Sequence, residues 1–173
     1  MNKFLPDMYQ KDIFSVNYKK LKDNGIKLLI YDFDNTIVDK NNSVTKDEVK
    51  KLFSSLKKDF EVIVLSNTLK PNKISNYCSY IGIKYMMGAK KPFKSGYLKV
   101  IDKYKYKSHE IACFGDQLLT DILGAKRMNC ISILVDPIGV DDTSFTIFNR
   151  FFEKFIYKNL NTKYKFEKGK YYD

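Results

Sequence analysis

The sequence predicts an α/β fold: a Rossmann-like, doubly wound parallel sheet of about five strands, with a C-terminal helix. Three observations carry this prediction. Short apolar runs alternate with helix-period segments over most of the chain. At 173 residues and 44% hydrophobic, the chain is long enough for one core and too short for two. Polar residues able to hold a ligand follow the apolar runs, as expected where ligands bind beyond the carboxyl ends of strands in an open sheet.

The opening segment, 1–25, carries Phe4, Leu5, Tyr9, Ile13 and Phe14 among lysines, and reads as a stretch that wraps over the domain or serves a partner surface. The core, 26–138, begins with Ile26 to Phe33, a buried strand by its continuous apolar character. Thr45-x-x-Glu48 is a capping box opening a helix with Val49, Leu52, Phe53 and Leu56 on one face. Val62 to Leu65 is the second strand and runs into Ser66-Asn67. Pro71 suits the first turn of the next helix, whose stripe of Ile74, Tyr77, Cys78 and Ile81 is ended by Gly82. Ile83 to Met86 is a weaker third strand before Gly88-Ala89-Lys90-Lys91-Pro92. A further helix is expected to put Phe93, Tyr97, Val100, Ile101 and Tyr104 on its apolar side. Ile111 to Phe114 is the fourth strand and ends at Gly115-Asp116-Gln117. A helix through Leu118, Ile122 and Ala125 leads to the fifth, Ile131 to Val135, which Asp136-Pro137 stops.

Region 139–173 differs. Phe145, Phe148, Phe152, Phe155 and Ile156 fall at helical spacing, with Arg150, Glu153, Lys154 and Lys158 on the other side. Such a basic amphipathic helix either lies in an anionic membrane interface or packs its aromatic face on the core. The basic aromatic tail beyond Lys163 reads as a binding segment for anionic lipid or nucleic acid, or as a solvated end.

The formal net charge of +11 favours polyanionic partners: phosphorylated substrates, an anionic membrane surface or, less favoured, nucleic acid. The lysines are scattered, so charge alone does not choose among them. Cys78, Cys113 and Cys130 form no C-x-x-C pair and read as buried free thiols of a reducing compartment. With no signal-peptide pattern or bilayer-spanning run, a cytoplasmic protein is expected, peripheral to the inner face of a membrane if the tail binds lipid. His109 precedes the fourth strand, at the end away from the polar edge, and reads as a surface residue.

Asp32 and Asp34 stand one residue apart where the first strand ends, and can project beyond the sheet edge. Buried carboxylates are costly unless paired, and a cation, magnesium by its preference for carboxylate and phosphate oxygens, pairs with them. Ser66, Asn67, Lys91 and Asp116 follow later strands, so strand order alone brings them to the same edge. The set is suited to phosphoryl transfer, which needs positioning and charge neutralisation. Asp32 is the expected nucleophile, forming an aspartyl-phosphate, and Asp34 the general acid and base. Ser66 and Asn67 are expected at the phosphate, Lys91 offsets its charge, and Mg2+ is expected at Asp32, Asp34 and Asp116.

Asp32-Phe33-Asp34-Asn35-Thr36, Leu65-Ser66-Asn67, Lys91-Pro92 and Gly115-Asp116-Gln117-Leu118-Leu119-Thr120-Asp121 resemble the four ordered motifs of the haloacid-dehalogenase superfamily. The Lys-Lys-Pro and Gly-Asp-Gln-x-x-Thr-Asp forms, with the opening Leu5-Pro6-Asp7, are similar to the YqeG-like, IIIA-type phosphatases, relatives of the phosphatidylglycerophosphatases. The resemblance implies the roles just given and adds Thr36 and Asp121 as supporting residues, Asp121 acting through water or a neighbouring lysine. It also implies a magnesium-dependent phosphomonoester hydrolase. Many members of that superfamily carry a cap, for which the spacing of these motifs leaves no room, so the resemblance, the capless core and the basic aromatic tail together make phosphatidylglycerophosphate, a membrane lipid headgroup, the expected substrate. Two alternatives stand beside it: a phosphatase of a soluble ester, and an RNA- or protein-binding module with a vestigial site.

Overall fold

Why the chain adopts this architecture is visible in its strands. In this computed structural model, which describes residues 3–38, 45–139 and 144–170, the last stretch as backbone alone up to 148, every apolar run expected to form a strand does so. They are β2 (Leu28–Tyr31), β3 (Glu61–Leu65), β4 (Lys84–Met86), β5 (Ile111–Gly115) and β6 (Ile131–Val135). A sixth, β1 (Met8–Gln10), lies in the segment read as a wrap. The sheet is parallel throughout, in the order β1-β6-β5-β2-β3-β4.

β1 is held by its neighbours more than by its own three residues. Met8, Tyr9 and Gln10 align with Ile133, Leu134 and Val135. The Asp7 carboxylate accepts the backbone N–H of Ser132 at 2.8 Å, the Ser132 hydroxyl at 2.7 Å and the Lys126 ammonium at 2.5 Å. On its outer side, Tyr9 donates to the carbonyl of Lys170, accepts the Gly169 N–H at 2.7 Å and stacks on Phe166 with ring centroids 4.9 Å apart.

Helices cover both faces. α1 (Tyr18–Asp23), α2 (Lys46–Leu56) and α3 (Pro71–Ile81) pack one core, in which Leu29, Tyr31, Val49, Phe53, Val64, Ile74 and Phe114 are buried. α4 (Lys94–Tyr104) and α5 (Leu123–Arg127) close the other face over Leu28, Ile30, Ile63 and Ile111. The local signals hold: Thr45 and Glu48 form the reciprocal cap of α2, Pro71 opens α3, and Gly82 ends α3 at φ 70°. All three cysteines are buried free thiols, and His109 is exposed at the far end of the sheet. Between β2 and β3, and between β3 and β4, the described residues hold one helix each and no inserted domain.

Two expected faces differ. Phe93 is the exposed N-cap of α4, because the loop carrying Lys91 turns it outward before the helical stripe begins. In α6 (Ser144–Tyr164) the buried line is Asn149, Glu153 and Leu160, while Phe151, Phe152 and Phe155 face solvent. Of the charged side expected outside, Glu153 and Arg150 thus turn inward, since Glu153 finds the Leu119 N–H at 2.9 Å and Arg150 the Asp116 carboxylate, while Lys154 and Lys158 stay exposed. The side chains of Phe145 and Phe148, and residues Tyr171 and Tyr172, lie outside the described residues. No helix among the described residues is long and apolar enough to cross a membrane.

Candidate active site

Strand order reverses between β2 and β5, which lie side by side, and their carboxyl ends open the crevice in which such sheets bind ligands. Tyr31 aligns with Phe114, so the next residues on each strand, Asp32 and Gly115-Asp116, meet there. Asp32 is fixed by its backbone N–H, which donates to the Phe114 carbonyl at 2.9 Å. Asn35, at φ 61°, turns the chain back after β2 and accepts the Ile138 N–H at 2.8 Å through its carbonyl.

Lys91 is buried between two carboxylates. Its ammonium donates to Asp32 Oδ1 and, at 2.6 Å, to Asp121 Oδ1. Burial alone would lower the lysine pKa, but Asp121 and Asp32 outweigh it and hold Lys91 above the ordinary value. Asp32 is pushed up to about 7, chiefly by burial, with Lys91 pulling it down and Asp121 pushing it further up. Asp121 also accepts from the Thr120 hydroxyl at 3.1 Å and the Gln117 N–H at 3.3 Å. Gly115 makes room for it: a Cβ there would lie 2.2 Å from Asp121 Cγ.

Asp116 is fully buried. Oδ2 accepts from Arg150 Nη2 at 2.9 Å, and Oδ1 has no hydrogen-bond partner among the described residues. Burial, then Asp32 and Asp121, hold its carboxyl well above the usual range, against Arg150. Oxygens of Asp32, Asp116 and Asp121 lie within 4.8 Å of one another. A trio of carboxylates, one with an unpartnered buried oxygen, fits a hard divalent cation. These three would hold it; the Asp34 carboxylate, expected there, stands outside the trio.

Asp34 is instead paired with Lys73 of α3 at 2.5 Å, and its side chain is 44% exposed. Ser66 is buried; its Oγ accepts the Thr68 N–H at 3.1 Å, leaving the hydroxyl proton to donate elsewhere. The Asn67 amide, expected at the phosphate, faces the backbone of Lys91, accepting its N–H at 2.7 Å and donating to its carbonyl at 3.1 Å. Asn67 therefore anchors the loop that carries the lysine. Lys90 is exposed, and Thr36 is buried with a hydroxyl that has no partner among the described residues.

Sequence reading missed Lys73, Arg150 and Glu153 as parts of this site, and named Gly115 in the fourth motif without its steric role. Arg150 and Glu153 had a signal in the line Asn149, Glu153, Tyr157 and Leu160, which shares one helix face and ends in a buried leucine. Lys73, one of several exposed lysines, had none.

Comparison with known proteins gives a consistent picture. The family described as mitochondrial PGP phosphatase matches residues 1–139. The "Probable phosphatase YqeG" of Bacillus subtilis (strain 168) is 32% identical over 161 residues, covering 92% of this chain and 93% of its own. An uncharacterized protein from Listeria monocytogenes serotype 4b shares the fold at a TM-score of 0.53 and 17% identity, covering 69% of this chain and 84% of its own. Another from Corynebacterium glutamicum does so at 0.50 and 17%, covering 79% and 94%.

Proposed function

The chain belongs to the family described as mitochondrial PGP phosphatase, and on that premise we propose that it hydrolyses the phosphomonoester of phosphatidylglycerophosphate, a lipid headgroup, with Mg2+ as cofactor. The phosphatase chemistry is that of the family; the lipid and the choice of metal are the proposal. The observation that carries it is the pairing of Asp32 with Lys91 beside the unpartnered oxygen of Asp116, at the carboxyl edge of a sheet with no inserted domain over it among the described residues. With no inserted domain at this edge among the described residues, a phosphate attached to a bulky lipid can be admitted.

When bound by Asp32, Asp116 and Asp121, the cation supplies positive charge for the phosphoryl oxygens. Asp32 attacks phosphorus and the ester oxygen leaves, so a carboxyl–phosphate bond replaces the ester bond. Asp34 enters this step in its protonated form and gives the leaving oxygen its proton; the carboxylate left, paired with Lys73, then takes a proton from the water that cleaves the aspartyl-phosphate. Lys91 holds Asp32 in line and offsets charge on the phosphoryl group, and Ser66 donates its hydroxyl proton to a phosphoryl oxygen. Lys73 holds the Asp34 carboxylate at the solvent side, where leaving group and water pass.

The test is phosphate release by purified protein from phosphatidylglycerophosphate and from a panel of soluble esters, with and without Mg2+. Turnover of the lipid that stops without Mg2+ is the expected result. Turnover of the soluble panel alone would overturn the lipid reading, and full activity in Asp32→Asn would overturn the mechanism.

A further inference from the structure

The four most exposed large apolar side chains among the described residues are Leu69 at 81%, Phe93 at 65%, Phe155 at 64% and Phe151 at 56%. All four stand on elements that border the site. Leu69 lies in the loop leaving β3, just past Ser66, and Phe93 in the loop leaving β4, two residues past Lys91. Phe151 and Phe155 belong to α6, whose opposite face touches the helical turn that follows β5, at Gln117 and Leu119, through Asn149 and Glu153. The α6 rings cluster: Phe151 meets Phe152 at 5.7 Å and Phe155 at 5.6 Å between centroids, both edge to face.

Single exposed apolar side chains need no explanation, but a concentration of the largest ones around a polar crevice marks a contact surface. Its charge selects the partner. Lys70, Lys90, Lys94 and Lys154 are exposed neighbours in sequence of these four residues, and the whole chain carries +11. A second copy would bring the same positive charge to the contact, whereas an anionic surface would be drawn to it. Aromatic and leucine side chains interspersed with lysine suit the boundary between headgroups and acyl chains.

We propose that the carboxyl edge of the sheet docks on an anionic phospholipid bilayer, with Leu69, Phe93, Phe151 and Phe155 entering the headgroup layer around the crevice. The crevice then faces the membrane, and a lipid phosphate reaches Asp32 without leaving the bilayer. The choice of a phospholipid surface rests on the lipid-ester reading above. The surface differs from the one the sequence suggested, because it joins two loops to the outward side of α6.

The experiment is vesicle flotation of the full chain with phosphatidylcholine vesicles and with equal mixtures of phosphatidylcholine and phosphatidylglycerol, beside hydrolysis of the soluble ester p-nitrophenyl phosphate. The wild type should float with the mixed vesicles, less with phosphatidylcholine alone, and less as salt is added. The variant Phe93→Ser/Phe151→Ser/Phe155→Ser should bind the mixed vesicles at least about tenfold more weakly with soluble-ester turnover unchanged. Equal flotation of variant and wild type would overturn the proposal, as would no flotation of either. A wild-type dimer that the variant dissolves, with no vesicle binding, would assign the surface to a second copy. Vesicle binding and soluble-ester turnover without phosphate release from phosphatidylglycerophosphate would sink the lipid substrate and leave the docking surface standing.

Discussion

Arg150 Nη2 donates to Asp116 Oδ2 at 2.9 Å, so α6 places a guanidinium on a carboxylate that a cation would also claim. The two positive groups compete for Asp116. Replacing Arg150 by Gln should tighten Mg2+ binding by about tenfold, the equivalent of one charge-assisted hydrogen bond. Calorimetric titration of metal-free protein measures this; unchanged or weaker binding in the variant would contradict the competition.

The half-exposed Asp34 pairs with Lys73 and stands outside the carboxylate trio. Asp34→Asn should therefore lower kcat by roughly 10²–10⁴ through loss of proton transfer, leaving the Mg2+ affinity near that of the wild type. Steady-state kinetics and the same titration separate the two effects. A large loss of metal affinity would place Asp34 among the ligands after all.

Gly115 has no side chain where a Cβ would meet Asp121 Cγ at 2.2 Å. Gly115→Ala should cost about 1–3 kcal/mol of stability and displace Asp121 from Lys91. Urea unfolding gives the first quantity and loss of phosphate release the second. An unaltered variant would mean that the backbone of β5 yields freely.

Glu153 is pushed up to about 7, first by burial and then by Asp121, against the Leu119 N–H and Arg150. Its pKa is higher folded than unfolded, so its contribution to stability is fully present below the unfolded carboxyl value and lost as pH rises through about 7. The span is on the order of 3 kcal/mol. Metal-free wild type should lose stability to urea as pH is raised across this range, and Glu153→Gln, which keeps the acceptor oxygen, should lose less. Identical pH slopes would show that Glu153 is not the titrating group.

The parts that were legible in the sequence share a cause. β2, β3, β5 and β6 are runs buried on both faces, so their apolar character is continuous, and Asp32, Ser66 and Asp116 follow because a parallel sheet puts all carboxyl ends on one side. β1 was not legible because Met8–Gln10 becomes a strand through Asp7, Ser132 and the alignment with Ile133–Val135, all distant in sequence. The period of α6 was legible and its orientation was not. Burying Glu153 is unfavourable by transfer; the Leu119 N–H, Arg150 on Asp116, Asn149 on Gln117 and the buried Leu160 make that face the inner one. The same holds for Asn67, whose amide suits a phosphate in isolation but meets the Lys91 backbone in the fold.

The clasp on β1 also sets an order of events during synthesis. Asp7 and Ser132 are 125 positions apart, and Tyr9 bonds to Gly169 and Lys170. On the ribosome, therefore, the earliest strand is the last to find its neighbours, while β2 and β3, joined through α2, pair as soon as they emerge. Until β6 has emerged, the nascent sheet ends at β5 with an open edge that a chaperone or a neighbouring chain can reach.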